Sequence, residues 1–116
     1  MKEQSAFEDT EQIAVVKWCW RHGITCHHSP NGGLRSKIEG AKFKRMGTVA
    51  GWPDLEFPKM NLYIEMKKRS GGVVSDKQKE VHSFLRSCGR TVEVACGAKE
   101  AIAILTKTLN NSGLLD

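Results

Sequence analysis

Gly51-Trp52-Pro53-Asp54-Leu55-Glu56-Phe57-Pro58-Lys59-Met60-Asn61-Leu62-Tyr63-Ile64-Glu65-Met66-Lys67 reads as two strands joined by a tight turn. Asn61 to Lys67 alternates: Leu62, Ile64 and Met66 share one face, while Tyr63, Glu65 and Lys67 share the other. Asp54 to Phe57 forms the partner strand, and Pro58-Lys59 connects the two as a tight hairpin. The Gly/Pro-containing turn Thr48 to Pro53 leads into it.

Reading outward, helical periodicity runs from about Phe7 to His22. Ile13, Val16 and Trp20 make one stripe, and Phe7, Ala14, Val15 and Trp18 an adjoining one, so this helix is expected to be buried on more than one side. Gly23 ends it. Ile24 to His28 suits a short strand, and Ser29-Pro30-Asn31-Gly32-Gly33 is a loop. Ser36 and Glu39 have capping-box spacing and open a second helix that runs to about Met46. Ser75 and Gln78 repeat that spacing before a helix to about Cys88, with Val81, Phe84, Leu85 and Cys88 as its inner stripe. Thr91 to Ala95 is rich in strand formers. Ala98, Ala101, Ile102 and Leu105 mark a last helix, and a loose tail is expected from Leu109 to Asp116. Helices alternating with strands point to an α/β layered domain with a mixed sheet, spanning residues 1–116 as one unit.

Composition sets the class. The 116 residues suit one compact domain. No apolar run approaches the about 18 residues of a membrane span. The polar, acidic start carries no visible secretory signal, so a cytoplasmic protein is expected. Cys19, Cys26, Cys88 and Cys96 form no metal-ligand spacing and are expected as buried or half-buried free thiols. Trp18, Trp20 and Trp52 are expected in the core, and His27 and His28 as structural or surface residues.

The formal net charge is +5, and its distribution is uneven. Arg35, Lys37, Lys42, Lys44 and Arg45 crowd the middle of the chain against one acid, Glu39. Lys67, Lys68 and Arg69 form a second cluster, and the acids gather near the N-terminus. An anionic partner fits this pattern. Asn31, Gly32 and Arg35 could set backbone N–H groups and a guanidinium against phosphates. Their ordinary reading is a plain turn with solvated charges.

The chemistry converges on the hairpin. Glu65 and Lys67 project from the same face of one strand, and Asp54 at the head of the partner strand can sit beside them at the sheet edge. Two neighbouring carboxylates repel each other unless a cation intervenes. Mg²⁺ favours such oxygen ligands, few of them from protein. A lysine beside that ion suits phosphodiester hydrolysis, orienting water or meeting charge on the phosphate. An ordinary hairpin with an exposed Glu/Lys pair is the competing reading. Glu11 has Phe7, Ala14 and Val15 among its helical neighbours and so looks inward, whereas Glu8 lies on a solvated face and is the fallback. Gln78 either contacts the site or caps its own helix with Ser75.

These residues resemble the PD-(D/E)xK nuclease superfamily: Pro53-Asp54, then Glu65-Met66-Lys67, with Glu11 on the first helix. More closely, the chain is similar to a stand-alone VRR-NUC domain, a virus-type replication-repair nuclease module. Glu11-Gln12, Pro30 to Arg35, Gly51 to Leu55, Tyr63 to Lys67, Ser75 to Gln78 and Val92-Glu93-Val94 carry the likeness from about Glu8 to Leu105. Trp52 stands where smaller or aliphatic residues are common in the family. The resemblance implies a restriction-endonuclease-like fold and a Mg²⁺- or Mn²⁺-dependent phosphodiesterase. Asp54, Glu65, the Met66 carbonyl and Glu11 would then face the metal, and Lys67 would be the catalytic lysine, with Gln78 beside it. It also implies a homodimer that cuts branched DNA in replication, repair or recombination, in a bacterial host cytoplasm if phage-encoded. DNA contacts would fall on Asn31, Gly32, Arg35, Lys37, Lys42, Lys44, Arg45 and Lys68. A sequence-specific or nonspecific nuclease of the same fold, and a non-catalytic DNA-binding module, are the alternatives.

Overall fold

The computed structural model describes residues 2–29, 37–70 and 72–112. Helix α1 spans Lys2–Arg21, strand β1 His27–His28 and helix α2 Lys37–Arg45. Strands β2 (Leu55–Phe57) and β3 (Leu62–Lys67) follow, then helix α3 (Asp76–Ser87), strand β4 (Thr91–Cys96) and helix α4 (Ala98–Ser112). The element order is the one the periodicities predict. Among the described residues no helix is long and apolar enough to cross a membrane.

The four strands make a single mixed sheet in the order β1-β2-β3-β4. β1, β2 and β3 pair antiparallel; β3 and β4 pair parallel, with α3 as the crossover between them. The hairpin register sets Leu55 opposite Ile64 and Phe57 opposite Leu62. Its turn is a 3-10 turn over Pro58–Met60, closed by Asn61 in the left-handed region at φ 51°. Asn61 also fastens the neighbouring turn, because its side-chain amide donates to the Gly89 carbonyl and its side-chain carbonyl accepts from Arg90.

Alternation along β3 sends its residues into two separate apolar layers. Leu62, Ile64 and Met66 join Leu55, Phe57 and Ala95 beneath α1 and α4, which contribute Val15, Cys19, Ala101 and Leu105. Tyr63 and Val92 pack on the opposite face with Val81 and Leu85 of α3, and half-buried Trp52 closes that layer. Trp52 meets Tyr63 edge to face at 6.0 Å between ring centroids. Both faces of β3 are therefore covered, which a crossover helix imposes on a parallel pair.

Several sequence expectations are corrected. The inner stripe of α3 is Val81, His82 and Leu85; Phe84 and Cys88 are exposed. The helix is turned so that residue 78 and its i+4 neighbour face the sheet, which rotates Phe84 and Cys88 outward. The tail does not begin at Leu109: α4 continues to Ser112 because Leu109 is buried against the core, and residues 113–116 lie outside the described residues. Trp20 is 72% exposed, since Val15 and Cys19 already fill the inward side of α1. Cys19 is buried and Cys26 and Cys96 half-buried as expected, and all four cysteines are free. The capping box at Ser36 and Glu39, and the side chain of Glu8, lie outside the described residues.

Gly51 holds its turn close to backbone. Its φ is +86°, and a Cβ there would sit 2.9 Å from the Lys77 carbonyl oxygen. Only a glycine lets the Trp52-Pro53-Asp54 turn lie this close to the first turn of α3. Gly51→Ala should cost about 1–3 kcal/mol. A urea titration would show it as a lowered midpoint with an unchanged slope.

Candidate active site

Register brings the hairpin carboxylates together. Leu55 pairs with Ile64, so one step further Asp54 stands opposite Glu65, and opposed residues of an antiparallel pair share a face. Pro53 is fully buried just ahead of Asp54 and carries no N–H to satisfy. The Asp54 side chain accepts from the Met66 backbone N–H at 2.8 Å. Its own carbonyl accepts from Ser29 N at 2.9 Å and lies 3.0 Å from His28 Nδ1. Asp54 thus links β3 to the segment leaving β1, and its position is fixed from both sides. The cluster lies at the C-terminal end of β3. Because β3 is an interior strand, this is the end of the sheet rather than an edge strand.

Glu65 is 2% exposed. Its Oε1 lies 3.2 Å from His82 Nε2, and the His82 side chain is equally enclosed. Burial, then the nearby Arg86 and Lys67 cations, push the His82 imidazole below its usual range, with Asp54 opposing. Burial of this kind favours the uncharged imidazole. A carboxylate oxygen can only accept, so Nε2–H is the donor of this contact. Sequence reading missed His82, although Gln78 and His82 are spaced i, i+4 and share a helix face.

Lys67 Nζ donates to Gln78 Oε1 at 2.8 Å. The same oxygen accepts from Ser75 N at 2.9 Å, while Gln78 N donates to Ser75 Oγ. Gln78 thus completes the capping box of α3 and contacts Lys67. Helix α3 therefore reaches two of the residues at this end of β3, Lys67 through Gln78 and Glu65 through His82.

Glu11 has a different set of partners. Its Oε1 accepts from Arg69 Nε at 3.2 Å and from Ala98 N at 3.3 Å, at the start of α4. Gly97, with φ +94°, leaves room for it: a Cβ there would meet Glu11 Oε1 at 2.8 Å. The helix terminus favours a negative charge at that position. The inward aspect expected from sequence is present, and Arg69 and the α4 terminus hold the carboxylate. No group of three or more His, Cys, Asp or Glu side chains among the described residues is close enough to hold a metal. A Mg²⁺ or Mn²⁺ ion needs fewer, because water and phosphate complete its shell. Asp54, Glu65 and the Met66 carbonyl would make a hard-oxygen donor set of that size, and Asp54 stands across the hairpin from Glu65.

Of the basic residues, Lys42, Lys44 and Arg45 are exposed in the last turn of α2, where the helix dipole also favours cations. Lys68 is half-buried directly after β3. Asn31, Gly32, Arg35 and the side chain of Lys37 lie outside the described residues. A cavity of about 470 Å³ lies between α2 and the start of α3, lined by Phe43, Lys44, Val49 and Lys77 among others. None of Asp54, Glu65 and Lys67 lines it, so the chemically dense region and this hollow are separate places on the molecule.

No family model and no curated protein matches the chain. A solved structure described as a VRR_NUC domain protein does, at 31% sequence identity and a TM-score of 0.75, over 90% of this chain and 88% of that one. The mixed four-stranded sheet with its flanking helices is the arrangement that the likeness carries. The chain belongs to the VRR-NUC family, whose fold is that of a nuclease of the PD-(D/E)xK type.

Proposed function

We propose that this protein is a Mg²⁺- or Mn²⁺-dependent endonuclease that hydrolyses phosphodiester bonds in branched DNA and acts as a homodimer. The observation that carries the catalytic reading is the gathering of Asp54, Glu65 and Lys67 at one end of the sheet. Asp54, Glu65 and the Met66 carbonyl would hold the metal ion. When bound, the ion supplies Lewis-acid polarisation of the phosphoryl oxygen and an acidified water. Glu11, held by Arg69 and the start of α4, is assigned as the first-helix acid of the site.

The chain's own groups do the rest. Lys67, held by Gln78, presents an ammonium at the mouth of the site, where it orients the attacking water or meets charge building on the phosphate. Asp54 is held through both its side chain and its carbonyl. His82 and the apolar layer under α3 keep bulk water from the inner side of Glu65. Positioning of this kind substitutes for covalent chemistry in phosphodiester cleavage.

DNA contact is assigned to Lys42, Lys44, Arg45 and Lys68, together with Asn31, Gly32, Arg35 and Lys37. Basic side chains on a helix neutralise phosphates and fix register without reading bases. Branch selectivity and the dimer rest on the family likeness, with a two-fold axis matching a near-symmetric substrate.

The deciding experiment is divalent-dependent cleavage of four-way junctions, flaps, nicked and linear duplexes. Branched substrates should be cut faster than linear ones, and EDTA should stop cleavage of all of them. Equal cutting of linear DNA would support the nonspecific-nuclease alternative, and EDTA-insensitive binding without cleavage the DNA-binding module. Lys67→Ala should slow cleavage by about 10²–10³-fold while leaving DNA binding in gel shifts near that of the parent.

Asp54 separates stability from activity. Asp54→Ala strands the Met66 N–H and should cost about 1–3 kcal/mol in urea unfolding. Asp54→Asn keeps an acceptor oxygen there and should cost clearly less. Both should lose cleavage, since neither supplies the carboxylate charge.

A further inference from the structure

We infer that His82 is a positioning residue: its Nε2–H clamps the Glu65 carboxylate in the orientation that receives the divalent cation. This inference rests on the nuclease reading above, and concerns a residue that reading does not use. His82 is 3% exposed and Glu65 2% exposed, and they meet at 3.2 Å beneath α3. Val81 and Leu85 are the other buried residues of α3, so His82 lies on the helix face that is turned to the sheet.

The choice of donor has a physical rationale. A buried carboxylate needs hydrogen bonds to remain in place. A lysine or arginine in that role would neutralise it and compete with the incoming cation. An imidazole in that role donates one directed hydrogen bond, to the single oxygen Oε1. Ligand carboxylates are oriented by outer groups in this way, and losing such a partner costs metal affinity rather than the site itself. The cationic Lys67 in the neighbourhood is instead drawn aside to Gln78 Oε1. The two residues of α3, one helical turn apart, therefore sort the charges: Gln78 holds the cation and His82 holds the anion.

The test uses the full chain and Mn²⁺ as the probe. Mn²⁺ affinity of DNA-free protein is measured by calorimetry for the parent, His82→Leu and His82→Gln, with urea unfolding of each. His82→Leu fills the space without a donor, and His82→Gln restores an N–H at a similar reach. The expected result is a roughly 10–100-fold weaker Mn²⁺ affinity for His82→Leu, substantially recovered in His82→Gln. Cleavage by His82→Leu should need correspondingly more Mn²⁺ and approach the parent rate at saturation. In parallel, ¹⁵N NMR of the metal-free parent should show the imidazole protonated at Nε2, with that signal moved in Glu65→Gln. Folded His82→Leu that binds Mn²⁺ as the parent does overturns the inference and leaves the nuclease reading intact. An imidazole protonated at Nδ1 alone overturns it too. A parent chain that takes up no Mn²⁺ overturns both.

Discussion

A carboxylate almost sealed from water is the constraint around which this chain is arranged. Glu65 sits near the end of an interior strand under a helix, where a carboxyl group is tolerated only with directed partners. The neighbouring features follow from that requirement. The β3-α3-β4 crossover brings a helix over the Glu65 face, and the turn of that helix that lands there carries a histidine rather than another aliphatic residue. The register of the hairpin then places a second carboxylate opposite the first. A fold stabilised only by burial would put a leucine at position 65, so the polar residue marks the place where packing yields to chemistry.

Rigidity around the second acid comes from the backbone. Asp54 accepts one N–H from β3 through its side chain, and its carbonyl takes another from the segment after β1. Gly51 presses the preceding turn against α3, and buried Pro53 removes a torsional freedom just before the acid. Gly51, Trp52 and Asp54 thus each meet a different neighbour: Lys77, Tyr63 and Met66. Preorganisation of this type lets short polar side chains hold their geometry on a small scaffold.

Much of this was legible from the residues. Alternation over Leu62–Lys67 gave both faces of the central strand, and serine-to-glutamine spacing gave the start of α3 with its capping box. These signals are local, and local patterns survive folding. What escaped reading depends on tertiary rotation. The roll of α3 that buries His82 and exposes Phe84 is set by the sheet beneath it, which a helical wheel alone does not reveal. Trp20 is exposed because two smaller residues, Val15 and Cys19, already occupy the inward side of α1. Glu11 was recognised as facing inward, but Arg69 and the start of α4 lie 58 and 87 residues further along the chain, beyond any periodic signal. The extension of α4 past Leu109 rests on one leucine finding the core.

One acceptor atom, Gln78 Oε1, serves both the start of α3 and the ammonium of Lys67. Helix ends fray more readily than helix centres. Each fraying event at residues 75–78 therefore unseats the lysine at the same moment, so the mobility of that ammonium is inherited from the helix end rather than set by its own side chain. Selection acting on the solvent-facing residues of this first turn, Asp76 and Lys77, would tune the lysine from a distance, without altering any group that touches it.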